Sequence, residues 1–240
     1  MLDTLKKIIK SSPIPFSKNH LYDLQTKKIL KNYLRVDSNC IDVGCHKGEI
    51  LDLMLKSAPQ GLHFGIEPIP GLYHNLKEKY KNNEHCVLKN YAASDSTGTA
   101  NFNHVVSNPS YSGLIKRDYD RAQEQDETIS VKTALLDDLI DKNVKISLIK
   151  IDVEGAEYQV LSGAKRILSK DNPIVIFEHG KGASNHYGTT PDLLFTLFET
   201  YGMGITTLGN FLKHRAFLNE KEFREQYEKG LNYYFIASSL

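Results

Sequence analysis

The rhythm of apolar positions changes near residue 39. Before it, residues 3–10 and 20–35 read as two short amphipathic helices around the breaker Ser12-Pro13-Ile14-Pro15. In the second, Leu21, Leu24, Ile29, Leu30 and Tyr33 recur at helical spacing, with lysines on the other face. After it, short apolar runs alternate with helical stretches. Residues 40–43, 63–66, 86–91, 147–151 and 174–177 predict buried strands, and residues 49–56, 71–81 and 156–169 predict helices between them. Such alternation specifies an α/β fold, a mainly parallel sheet with helices on both faces. Residues 94–135 interrupt it. A turn signal at 95–98, between Tyr91 and Phe102, predicts a hairpin; residues 107–127 are polar and without period; residues 128–133 predict a further strand. Residues 231–237 predict an edge strand, which would offer a second copy a surface for a homodimer. The expected organisation is a helical extension over 1–36 and one domain over 37–240.

Composition narrows the classes. Hydrophobic residues are 40% and charged residues 25% of 240, enough for a large core without staples. A formal net charge of +1 gives no broad basic face, so nucleic acid is not expected as the partner. No uncharged apolar run reaches the ~20 residues that cross a bilayer, and residues 1–16 lack the apolar stretch of a signal peptide. Cys40, Cys45 and Cys86 cannot all pair and lack zinc-ligand spacing, so a reducing, cytoplasmic setting is expected and no metal site.

The chemistry gathers where the predicted strands end. Asp42-Val43-Gly44-Cys45-His46-Lys47-Gly48 follows the first strand and opens a helix. Gly44 allows a sharp turn and close approach to a ligand, and Gly48 keeps the helix near the strand. Its glycines lie four apart, unlike G-x-G-x-x-G, so a nucleoside with an ammonium group suits the turn better than a diphosphate. Glu67 ends the second strand, where a carboxylate can take both hydroxyls of a ribose, and Pro68 fixes the chain beside it. Ala93 leaves room for a flat base, and Ser94 or Asp95 could bond its amino group; turn formation explains those residues equally well.

Residues 148–164 carry the most specific pattern. Lys150-Ile151-Asp152-Val153-Glu154-Gly155-Ala156-Glu157 crowds three carboxylates and a lysine at a strand end, followed by Val160, Leu161, Gly163 and Ala164. This run closely resembles the signature of the FkbM family of methyltransferases. Asp42-Val43-Gly44 with Gly48, Glu67 to Pro70, Ala92 to Asp95, Leu136 to Leu139 and Pro173 to Glu178 resemble the same family in the same order, over about residues 39–180. His46 departs from it, standing where members often carry asparagine.

The resemblance implies a Rossmann-like class I methyltransferase fold with a seven-stranded type of sheet. It implies S-adenosylmethionine as cofactor, S-adenosylhomocysteine as product and no metal. The implied reaction is O-methylation of a hydroxyl on a sugar, glycan or secondary metabolite. Carried over residue by residue, Asp42, Gly44, His46, Gly48, Glu67, Pro68, Ala93, Ser94, Asp95 and Asp152 would contact the cofactor. Methyl transfer to a hydroxyl benefits from a base. His179, by its ordinary pKa, and Asp152, by its place, are the candidates, with Glu154 and Glu178 orienting acceptor or base. Lys150 is expected to pair with a neighbouring carboxylate. Tyr111 and Ser112 in the irregular segment, and His186 in the polar loop 180–188, are expected to touch the acceptor. An NAD-type oxidoreductase shares the strand, turn and acid but needs the missing diphosphate turn. A silent nucleotide-binding module of the same fold is the other alternative.

Overall fold

The computed structural model describes residues 14–119 and 123–239; the helix expected at 3–10 lies outside them. A helix, α1 (Lys18–Tyr33), opens the described chain. It starts at Ser17, whose hydroxyl accepts from the His20 amide at 3.1 Å, and stops where Leu34 turns extended. Then follow β1 (Asn39–Val43), α2 (Glu49–Ser57), β2 (His63–Ile66), α3 (Pro70–Tyr80) and β3 (Cys86–Lys89). A small sheet comes next, made of β4 (Ala92–Ala93), β5 (Gly98–Val105) and β6 (Asp126–Ala134). The main sheet resumes through α4 (Leu136–Leu139), β7 (Ile146–Ile151), α5 (Glu157–Ser162), α6 (Lys165–Asp171) and β8 (Ile174–Glu178). The chain then runs through α7 (Pro191–Thr200), β9 (Met203–Thr207), α8 (Leu208–Leu212), α9 (Glu220–Glu228) and β10 (Tyr234–Ser239).

The seven-stranded sheet has the order β3-β2-β1-β7-β8-β10-β9, with β10 antiparallel to both neighbours. Successive side chains point to opposite faces, and each face is apolar. Ile41, Ile149, Val175, Phe177 and Phe235 pack under α5, α6, α7 and α9. Cys40, Leu148, Ile176 and Ile236 pack under α1, α2, α3 and α8, where Tyr22, Ile29 and Leu30 of α1 are buried. Those three side chains alone account for ~5 kcal/mol of apolar burial, so α1 is tied into this core.

Four expectations are corrected. The last strand is Tyr234–Ser239 and lies inside the sheet; the edges are β3 and β9. The edge-strand argument for a homodimer therefore falls, and the missed strand is β9, whose Met-Gly-Ile-Thr-Thr lacks the apolar run that marks the others. The expected hairpin does not close at 95–98. β4 pairs parallel to β6, and β5 pairs antiparallel to β6 across the long irregular loop. Residues 156–169 form two helices, broken at Gly163 and Ala164.

Candidate active site

Connections run outward from β1 in one direction and from β7 in the other, so the crevice of this open sheet falls at the carboxyl ends of β1 and β7. A cavity of about 900 Å³ opens there, roofed by α1, the small sheet and the irregular loop. The polar residues gather by strand register. Asp42 pairs with Lys150, and Lys150 with Ile176. Two residues further along that face stand Glu178 and its partner Tyr234. The face that is apolar at its lower end is ionic at its upper end.

One half of the cavity suits a nucleoside. Gly44 turns the chain at φ +76°, and His46 follows with φ +49°. The His46 amide donates to Glu67 Oε2 at 2.8 Å and the Ile69 amide to Oε1 at 2.9 Å, so the glycine turn and the acid are joined directly. The Asn90 amide donates to the carbonyl oxygens of Glu67 and Pro68, at 2.8 and 3.0 Å, which fixes the strand end. Burial pushes the Glu67 carboxyl up to about 7, against its two amide donors. Burial likewise takes Asp42 to about 7, opposed by Lys150. Asp42 Oδ2 and His46 Nε2 are buried without a protein partner on this wall, which leaves hydrogen-bonding capacity for a ligand. Ile69, Leu72, Ala92, Ala93, Phe102 and Leu114 form a flat apolar slot beside Glu67. Phe102 and Leu114 belong to the insertion that breaks the strand–helix alternation, and no local pattern linked them to Glu67.

The other half is ionic and aromatic. Asp152 Oδ2 accepts from Lys150 Nζ at 3.0 Å and from the Tyr234 hydroxyl at 2.5 Å. Burial favours its neutral form, but Lys150 and Tyr234 outweigh that and hold Asp152 below the ordinary carboxylate range. Glu178 is pushed well up by burial and then by the neighbouring acids. Burial and Asp152 push Glu154 up to about 8, with Arg117 opposing. Arg117 ion-pairs with Glu154 and stacks 4.4 Å from the Tyr111 ring centroid, anchoring the irregular loop over the cavity. Oxygens of Asp152, Glu154 and Glu178 lie within 4.8 Å of one another. A single cation would fit that spacing, but Lys150 and Arg117 already supply positive charge there. Glu157 is buried and accepts from the amides of Val153 and Gly155, which folds the turn that aims Glu154. Tyr22, Arg117 and Tyr234 escaped sequence reading because only long-range folding brings them here.

Of the residues expected from sequence, Asp42, Gly44, His46, Glu67, Pro68, Ala93, Tyr111, Ser112, Asp152, Glu154 and Glu178 line this cavity. Five do not. Gly48 instead admits Tyr80, whose hydroxyl would stand 2.5 Å from a Cβ there. The Ser94 side chain is buried against Asp95, and Asp95 itself is exposed. His186 lies off the wall, 3.9 Å from Asp118. His179 is 1% exposed, with its ring stacked on Tyr227 and near Phe223. Burial lowers its pKa to about 4, and neither ring nitrogen has a partner. Being buried and off the cavity wall, His179 cannot meet an acceptor. His179→Leu is expected to keep methyl transfer within about threefold. A loss of ~100-fold in a folded variant would return the ring to the mechanism.

Residues 42–225 match the family model for the Methyltransferase FkbM domain. The chain belongs to the FkbM methyltransferase family. The matched model is that of a methyltransferase domain and not of an oxidoreductase. Among characterised proteins, 2-O-methyltransferase NoeI of Sinorhizobium fredii (strain NBRC 101917 / NGR234) is 28% identical over 156 residues, covering 60% of this chain and 64% of that protein. This FkbM chain thus spans less than two thirds of that relative. The crystal structure of an FkbM methyltransferase from Methylobacillus flagellatus KT superposes with a TM-score of 0.52 at 16% identity, covering 85% of this chain and 44% of that one. That likeness confirms the class I methyltransferase fold. Among the described residues, no helix is long and apolar enough to cross a membrane.

Proposed function

We propose that this FkbM-family chain transfers a methyl group from S-adenosylmethionine to a hydroxyl of a sugar, glycan or secondary metabolite. The observation that carries the reading is Asp152, a carboxylate on the cavity wall that accepts from Lys150 Nζ and the Tyr234 hydroxyl. The apolar slot of Ile69, Ala92 and Phe102 would hold the adenine, Glu67 the ribose hydroxyls, and the Asp42–Gly44 turn the amino-acid end. Bound there, the cofactor supplies a methyl group already activated by its sulfonium charge. The protein's share is to hold the reactants in line and to accept a proton.

The acceptor hydroxyl would become strongly acidic as it takes the methyl group, and Asp152 would accept its proton. A carboxylate of low pKa suffices because the proton leaves late. Glu178, whose carboxyl burial and the neighbouring acids push well up, hydrogen-bonds to Asp152 and would help orient it toward the acceptor. Several closely spaced donors and acceptors beside Tyr111 and Tyr119 suit a polyhydroxylated ring with an apolar face. That NoeI is a 2-O-methyltransferase supports oxygen as the acceptor atom. The test is to incubate the chain with methyl-labelled cofactor and a panel of free sugars, nucleotide sugars, oligosaccharides and amines. Label in an ether of a hydroxylated acceptor is expected. Label only in amines would overturn O-methylation, and cofactor binding with no transfer would favour a silent module.

A further inference from the structure

We propose that Tyr234 is a positioning residue for this reaction, its hydroxyl fixing one oxygen of Asp152 so that the other takes the proton of the acceptor. The inference rests on the reading of Asp152 as base and goes beyond it to a residue 82 positions away on the last strand.

The geometry is specific. Asp152 lies just past the end of β7, where its backbone N–H donates to the Val43 carbonyl at 3.0 Å but nothing in the strand pairing holds the side chain. Its carboxylate is instead held by side chains: Tyr234 at 2.5 Å and Lys150 at 3.0 Å, both on Oδ2. Two donors on Oδ2 fix the rotation of the carboxylate and so the direction of Oδ1, and the Glu178 carboxyl, also bonded to Asp152, gives way as the acceptor arrives. The phenol is in turn held by its own strand. Tyr234 is the register partner of Glu178, so it projects from the same face of the sheet as the acids. The ring packs against Tyr22 at 5.2 Å and Tyr233 at 5.9 Å. Lys150 Nζ lies 4.9 Å from the centroid of that ring. The ring lies under the Lys150 cation, and the hydroxyl donates to the Asp152 anion while accepting from Lys150 Nζ at 3.5 Å. Burial raises the phenol well above 10, so it stays a donor wherever the enzyme works.

The charged and titratable groups around Asp152 set the sign of the expected effect. Lys150 on β7 and the hydroxyl of Tyr234 favour its ionised form. Asp42 on β1, Glu154 and Glu157 beyond β7, and Glu178 on β8 are acids that disfavour it when ionised, though Glu178 also bonds to it while neutral. His46 lies in the glycine turn and Arg117 reaches this group through Glu154. Removing the hydroxyl subtracts one stabilising donor, so Asp152 ionises at higher pH.

Tyr234→Phe keeps the ring, its packing and its place under the Lys150 cation, and removes the hydroxyl with its bonds to Asp152 and Lys150. The expected result is a kcat lower by about tenfold and an acid limb of kcat moved up by roughly one pH unit. The KM for S-adenosylmethionine and the melting temperature should stay near wild type. Site-specific replacement of Tyr234 by 3-fluorotyrosine, a more acidic donor, should move the limb the opposite way without deleting any contact. An unchanged acid limb in both variants, with Asp152→Asn inactive, would overturn the positioning role while leaving Asp152 as base. A Tyr234→Phe variant that loses stability and cofactor affinity but keeps its acid limb would make the tyrosine merely structural, and also overturns it. Full turnover in Asp152→Asn would instead overturn the reading on which the inference rests.

Discussion

Replacing Asp152 by asparagine is expected to lower turnover by about 10²–10⁴-fold while leaving the dissociation constant of S-adenosylmethionine within about threefold. The asymmetry follows from its place. Asp152 bonds to Lys150 and Tyr234 on the ionic half, whereas the nucleoside-shaped half is built by Glu67, Ile69, Ala92 and Phe102. Asparagine keeps the shape but cannot take the proton, so it removes an interaction made only as the methyl moves. It also leaves the Lys150 ammonium, 4% exposed, short of a counter-charge. A melting scan must therefore accompany the kinetics. A folded variant within a few-fold of wild-type turnover would remove Asp152 from the chemistry, and Glu154 would be the next carboxyl to test.

A methyl group added at Gly44 should damage fold and site together. Its Cβ would stand 2.0 Å from the carbonyl oxygen of Asp152, which is backbone and cannot swing away. The residue also sits at φ +76°, a region that alanine enters only under strain. Relieving the overlap means parting the ends of β1 and β7, and that moves the glycine turn, Asp152 and the cavity wall together. Gly44→Ala is expected to cost about 3–5 kcal/mol, a fall of ~10 °C in melting temperature, and to abolish measurable cofactor binding. Gly182→Ala is the control. It has a similar φ of +94° but nothing within 4 Å of its Cβ, so only the backbone strain of about 1 kcal/mol remains. Equal melting temperatures for the two variants would mean that the close approach at Gly44 is not what holds the turn.

Local pattern along the chain is informative where an element is buried on both faces. Strands β1, β2, β7 and β8 were legible because a strand buried on both faces must be an apolar run, and the acids follow at its end. Glu67 and the Gly44 turn could be linked by spacing, and the His46 amide does bond to that carboxylate. The Lys150–Asp152 pair was foreseeable because two residues along a strand return to the same face. His179 misled for a physical reason. Its ordinary pKa suits a base, but alternation along β8 turns it from Glu178's face toward Phe223 and Tyr227. The apolar slot was illegible because Ile69, Ala92, Phe102 and Leu114 meet only through the small sheet, whose pairing skips the turn that the sequence advertises. Arg117 and Tyr234 carry no local mark at all, since their partners lie 37 and 82 positions away.

On the proposed function, the Glu67 half of the cavity holds the nucleoside of S-adenosylmethionine. It is tested most directly by calorimetric titration of wild type and Glu67→Gln with S-adenosylmethionine and S-adenosylhomocysteine at pH 6 and pH 8. Ribose hydroxyls favour the ionised carboxylate, and in the free protein burial holds that group near 7. Binding must then displace a proton below pH 7 and strengthen as pH rises, by up to roughly tenfold per unit, until the free carboxyl is already ionised. The account predicts tight binding of both ligands to wild type, stronger at pH 8. Glutamine should weaken binding by about 10–100-fold and flatten the difference between the two pH values. Failure of both ligands to bind wild type, or equal binding to the glutamine variant with the pH dependence intact, would contradict it.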